Sequence, residues 1–129
     1  MYLDTDVILA RIKDDDWLKS EVDRDALTSP KTSAVTVVEV QLVYFDERSR
    51  GVIADSRQEV SEEVERILPL DTEVLEESSR LLREHDRLNV FDSLHLAHAS
   101  VLDEPIVSTD TLYPEIEDVR SLDPRELAP

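Results

Sequence analysis

Apolar positions along the chain fall into short aliphatic runs and longer amphipathic stretches. "MYL" at the N-terminus, "KTSA" at 31–34, "ILPL" at 67–70, "PIVS" at 105–108 and "VRSL" at 119–122 read as brief strands. Pro69 pushes the third of these to a sheet edge, because it cannot donate to a ladder. Helices are predicted over "DDDWLKSEVDRDAL" at 14–27 and over "ADSRQEVSEEVERI" at 54–67, the latter with Val60, Val64 and Ile67 on one face. The clearest helix is "DTEVLEESSRLLREHDRL" at 71–88, whose stripe is Val74, Leu75, Ser78, Leu81, Leu82 and His85. Glu73, Glu76 and Glu77 come early and Arg80, Arg83 and Arg87 late, which complements the helix dipole. "FDSLHLAHASVL" at 91–102 is another helix, and "DERSRGVIADS" at 46–56, with the only glycine, reads as a longer connection. Strands alternating with helices predict an α/β layer structure around a parallel sheet.

One stretch stays open on pattern alone. "SAVTVVEVQLVYF" at 33–45 has the β-branched residues of a strand, but the length and the Val35, Val38, Glu39, Leu42, Phe45 spacing of a helix.

Composition then changes the picture. At 129 residues the chain has the size of one domain, taken here as residues 1–129, and can bury a core without staples. It contains no cysteine, so disulfides and thiolate metal sites are excluded, which fits a reducing cytoplasm. The longest apolar run is too short for a bilayer and carries Glu39 and Gln41, so a soluble, unprocessed protein without membrane contact is expected. Asp and Glu number 31 against 14 Lys and Arg, a formal net charge of -17, yet 40% of the residues are hydrophobic. That combination predicts a folded body coated in acid, and a halophilic cytoplasm is the preferred explanation.

In so acidic a chain only carboxylates embedded among apolar residues are informative. Four stand out: Asp4 after the first strand, Glu39 inside the ambiguous run, Asp92 opening "FDSLHLAHA", and Asp110 after "PIVS". In open parallel sheets, ligands bind beyond the carboxyl ends of the strands where strand order reverses, and Asp4 and Asp110 follow two such ends. Four converging carboxylates repel one another and call for protons or a hard cation, of which Mg²⁺ or Mn²⁺ is the natural occupant. Thr5, Ser108 and Thr109 carry hydroxyls within reach, with turn and cap roles as the plainer reading. His95, three residues after Asp92, either backs the site or packs against the sheet; His98 and His85 read as packing residues.

The order "YLDTD", "SAVTVVEV", "FDSLHLAHA", "IVSTD" resembles the PIN domain, particularly the VapC-type toxin ribonucleases of toxin–antitoxin pairs. The resemblance runs over essentially the whole chain. It implies a three-layer α/β/α sandwich with a short parallel sheet in strand order 3-2-1-4-5, and it makes 33–45 a helix. By motif it assigns Asp4, Glu39, Asp92 and Asp110 as catalytic, metal-holding residues of a Mg²⁺- or Mn²⁺-dependent endoribonuclease. One departure is Asp6, where the family often has asparagine; Asp6→Asn is therefore expected to spare activity.

The resemblance also implies partners: an RNA substrate, a cognate antitoxin and a second copy of the chain. An apolar surface around Trp17, Leu18, Val43, Tyr44 and Phe45 is the place for such protein contacts. The acidic surface is unusual for an RNA binder, and Lys13, Arg48, Arg50 and Arg57 are the candidates for phosphate contact. Three rival readings remain. A haloacid-dehalogenase-like phosphatase would want threonine where Ile8 stands, and a receiver-type domain would want a lysine after its last strand. A catalytically weak or inactive partner-binding module has no need of all four embedded acids.

Overall fold

The computed structural model describes residues 1–13, 16–22, 24–47 and 50–127. Strand β1 (Tyr2–Leu3) leads at once into α1 (Thr5–Ile12). After two single-turn 3₁₀ segments come β2 (Lys31–Ser33), α2 (Ala34–Asp46), α3 (Arg50–Ser61) and β3 (Arg66–Leu68). The second half runs α4 (Thr72–Glu84), α5 (Val90–Leu102), β4 (Ile106–Val107) and β5 (Ser121–Leu122). The five strands form one all-parallel sheet in the order β3-β2-β1-β4-β5. β3 lies at an edge and stops at Leu68, just before Pro69.

Strands of two or three residues suffice because each residue pair feeds two cores. Tyr2 and Ile106 point into one cluster, with Leu81 of α4 and Leu96 of α5. Their neighbours Leu3 and Val107 point into the other, with Val7 and Ile8 of α1, Val40 and Tyr44 of α2, and Val60 of α3. This period-2 alternation puts helices on both faces, which is why β1 and β4 read as continuous apolar runs.

Three features depart from the sequence expectations. Residues 14–27 form no long helix: Lys19–Glu21 and Arg24–Ala26 are 3₁₀ turns, and Asp14, Asp15 and Asp23 lie outside the described residues. The helix starts earlier, at the Asp4 cap, and buries Val7, Ile8 and Ala10; the acidic triplet imitated an N-terminus that Asp4 already supplies. α3 ends at Ser61, and Ile67 pairs with Thr32 in the sheet, since no Gly or Pro marks that boundary in the chain. Gly51 sits inside α3, not in a long connection; packing of α3 against α2 overrides the modest helix penalty of one glycine. The 33–45 stretch is helical, capped by Ser33, whose hydroxyl accepts from the Val35 amide at 3.2 Å.

No helix among the described residues is long and apolar enough to cross a membrane. Asp4 is the only buried carboxylate among them, at 9% exposure. The other described acids are partly or fully exposed, so their mutual repulsion is strongest when salt is scarce. The melting temperature is expected to rise from low to molar KCl; a flat or falling trend in a differential scanning fluorimetry series would contradict this.

Candidate active site

Asp4 answers the question of why a core strand runs into acid. Its backbone amide still pairs with Val107 of β4 at 3.0 Å, while its own Oδ1 accepts from the Thr5 amide at 2.9 Å and caps α1. Oδ2 accepts from the Ser108 hydroxyl, across from β4, at 2.7 Å. One residue thus ends the central strand, starts a helix and faces the point where strand order reverses. Burial, partly offset by the charge of His95, raises its pKa to about 6.

The surrounding cleft, about 360 Å³, is lined by Asp4, Asp6, Glu39, Asp46, Asp92 and His95 among others. No lysine or arginine is among its described lining residues. Glu39 comes from the middle of α2 and Asp92 from the first turn of α5. The Asn89 side chain caps that turn by accepting from the Asp92 amide at 2.8 Å, and the buried Tyr113 hydroxyl donates to Asp92 Oδ1 at 3.2 Å. Burial first, then the charge of Asp110, raises the Asp92 pKa.

Asp110 is placed differently. It is not among the cleft-lining residues and joins the site from beyond β4: its amide donates to Ser108 Oγ at 3.0 Å, and its Oδ1 accepts from Leu112 N at 2.8 Å. Among the described residues, the group of three ligand atoms that closes to within 4.8 Å is elsewhere, at Glu84, His85 and Asp118. Arg80 already pairs with Glu84 at 2.8 Å and with Asp118 at 2.9 Å there, so these surface acids are neutralised. The sequence-predicted acids share a cleft and its rim without forming a closed cage.

The structure adds residues that the sequence reading weighed lightly or missed. Asp6 lines the cleft and latches α1 to the loop after β4, accepting from the Thr109 amide at 2.9 Å and from the Thr109 hydroxyl. His95 is 1% exposed, and its Nε2 contacts Glu39 Oε1 and lies 3.6 Å from Asp4 Oδ1. Burial opposes a charged His95, but Tyr2, Glu39 and Asp4 outweigh it and raise its pKa well above the ordinary value. Tyr2 and Tyr113 had only apolar neighbours to recommend them; no local signal marks a hydroxyl that finds its acid 21 residues away. Of the candidate cations, Lys13 pairs with Glu47 and Arg57 is exposed, and neither lines the cleft. Arg48 and the side chain of Arg50 lie outside the described residues.

An all-parallel five-stranded sheet flanked by helices, with an acidic cleft at its switch point, defines the class. The PIN domain family model matches residues 1–119, and the chain belongs to that family. Solved structures share its fold over nearly the whole chain. The FitAcB structure from Neisseria gonorrhoeae superposes with a TM-score of 0.71 at 22% identity, covering 98% of this chain and 99% of that one. A toxin–antitoxin complex from Klebsiella pneumoniae gives 0.73 at 18% identity, covering 95% and 96%. VapBC2 from Rickettsia felis, bound to a promoter DNA fragment, gives 0.71 at 15% identity, covering 94% and 96%. No curated protein matches the chain.

Proposed function

We propose that this protein is a metal-dependent endoribonuclease that hydrolyses RNA phosphodiester bonds as the toxin of a toxin–antitoxin pair. The observation that carries the reading is Asp4, a buried carboxylate at the switch point with no lysine or arginine paired to it among the described residues. His95, 3.6 Å away, offsets the charge of Asp4 only in part, and a buried carboxylate left so is costly without a further cation.

The donor set fits a hard divalent cation: carboxylate oxygens from four separate stretches of the chain, backed by hydroxyls, with no soft ligand. Asp4, Asp92 and Asp110 would hold Mg²⁺ or Mn²⁺, and Glu39 would complete the set or orient water. Such an ion polarises a phosphate oxygen and offsets the charge that develops during in-line attack. The chain's own groups do the holding: Ser108 and the Thr5 amide fix Asp4, Tyr113 fixes Asp92, and Ser108 takes the Asp110 amide. Membership of the PIN family sets the phosphatase and receiver readings aside.

Partner contacts find support beside the cleft. Val38, Leu42 and Phe45 expose one face of α2, and Val90 and Phe91 expose the start of α5, with Leu42 and Phe91 also lining the cleft. Of the residues expected in a protein contact, Trp17 is 68% and Phe45 53% exposed, whereas Leu18 and Tyr44 are core. An antitoxin segment and a second copy of the chain are the proposed occupants of such surfaces.

The absence of described basic residues along the cleft favours one second reading, a partner-binding module without hydrolytic activity. The test is cleavage of structured RNA in molar salt with Mn²⁺ or Mg²⁺ against an EDTA control. Metal-dependent cleavage is expected; intact RNA under every condition, from folded protein, would favour the module.

A further inference from the structure

His95 stands between the core and the cleft and is engaged on both sides of its ring. A carboxylate only accepts, so the nitrogen facing Glu39 Oε1 is protonated: Nε2–H donates to it. On the far side Nδ1 meets the Tyr2 hydroxyl at 2.7 Å, and that hydroxyl meets Ser33 Oγ at 2.7 Å. Both Tyr2 and Ser33 are fully buried and belong to β1 and β2. The ring therefore cannot turn without breaking its bond to Tyr2, which is itself tied to β2 through Ser33.

Glu39 needs such a hold. It rises from mid-helix on a long side chain that is 26% exposed, so by itself it would sample several rotamers. Two donors fasten it, His95 Nε2–H and the Thr5 hydroxyl at 2.9 Å, and both take the same oxygen, Oε1. No described residue donates to Oε2, and Glu39 lines the acidic cleft, so the second oxygen is left for whatever the cleft binds.

The geometry points to His95 as a positioning residue that, locked by Tyr2 and Ser33, fastens Glu39 by Oε1 and leaves Oε2 for a divalent cation. This role rests on the metal reading above and deepens it. A helix residue that merely packed against the sheet would have no reason to spend both nitrogens on this path. Metal sites commonly depend on such outer partners, whose loss weakens metal affinity by about 10–100-fold.

The test is Mn²⁺ titration by calorimetry on the full chain in molar salt, with circular dichroism to check folding. His95→Leu should weaken Mn²⁺ binding about tenfold or more, whereas His95→Gln, whose amide can still donate to Glu39, should recover most of the loss. In a Glu39→Gln background the same His95→Leu change should have little further effect, because the group it positions is already altered. Wild-type affinity in His95→Leu, or an equal loss in both Glu39 backgrounds, overturns the positioning role alone. Should His95→Leu not fold, Tyr2→Phe takes its place: it is expected to weaken binding only when Glu39 is intact, and wild-type affinity there overturns the role. Wild-type protein that binds no Mn²⁺ overturns the metal reading, and the positioning role with it.

Discussion

Replacing Asp4 by Asn is expected to slow RNA hydrolysis on the order of a hundredfold or more, while leaving the metal-free protein as stable as wild type or more so. The first half follows from removing an anionic ligand at the switch point. The second follows from local geometry. An asparagine oxygen can still accept from the Thr5 amide, and its NH₂ can donate to Ser108 Oγ, which otherwise donates to Asp4. The folded pKa of Asp4 is raised from 3.8 to about 6, chiefly by burial. A carboxyl raised in this way supports the fold while protonated, and that support is lost as pH rises through about 6. At pH 7 the metal-free fold therefore carries an ionised buried acid that asparagine removes.

Asp6→Asn is the control, with a refinement from the structure. Asp6 accepts from Val7 N at 2.8 Å with one oxygen and from the Thr109 amide and hydroxyl with the other. Asparagine cannot accept at both ends, so activity should survive at a stability cost of about 1–2 kcal/mol for one unpaired N–H. RNA cleavage with Mn²⁺ beside thermal melts in EDTA separates the two variants. Full activity in Asp4→Asn, or its loss in Asp6→Asn alone, would remove Asp4 from the proposed metal site.

Acidification should expose a second buried group, His98. It is 2% exposed on α5 and stacked on Tyr2 with ring centres 5.6 Å apart, and its Nε2 has no partner among the described residues. Burial, helped by the charge of His95, lowers its pKa from 6.5 to about 4. Here the unfolded chain binds the proton more readily, so the contribution is intact above pH 6.5 and is lost as pH falls towards 4, up to about 3 kcal/mol. Asp4 acts with the opposite sign between about 6 and 3.8, so the wild-type profile is shallower than either group alone would make it. Urea unfolding from pH 7.5 to 4.5 in EDTA, comparing wild type with His98→Phe, isolates the histidine. The stability difference should shift in favour of His98→Phe as pH falls; parallel profiles would show that His98 does not titrate with folding.

Much of the fold was legible because its signals are local. The apolar-bodied pairs Tyr2–Leu3 and Ile106–Val107 announce buried strands, and the 71–88 stripe announces α4, with Val74, Ser78 and Leu81 buried as its period requires. The exception within that stripe is Leu75, left 46% exposed. Where two readings were locally balanced, pattern failed. The 33–45 run carries β-branched residues at helical spacing, and the acidic triplet at 14–16 imitated the start of a helix that begins ten residues earlier at Asp4. Gly51 and the unpunctuated passage from α3 to β3 misled for the same reason: tertiary packing outweighs propensities of a kcal/mol or less.

The site divides along the same line. Residue type and apolar surroundings were enough for the sequence to single out Asp4, Glu39, Asp92 and Asp110, because a carboxylate next to a core strand is costly wherever the chain goes. How they meet was decided only by the fold. Parallel pairing of β1 with β4 brings Ser108 to Asp4 across 104 residues, and the crossing of α5 beside α2 brings His95 to Glu39 across 56. Those partners, the tyrosine behind the histidine and the position of Asp110 outside the cleft lining follow from contacts between residues distant in the chain. Local sequence pattern carries the period of a strand or helix and the chemistry of a side chain, but not which distant element will pack against it.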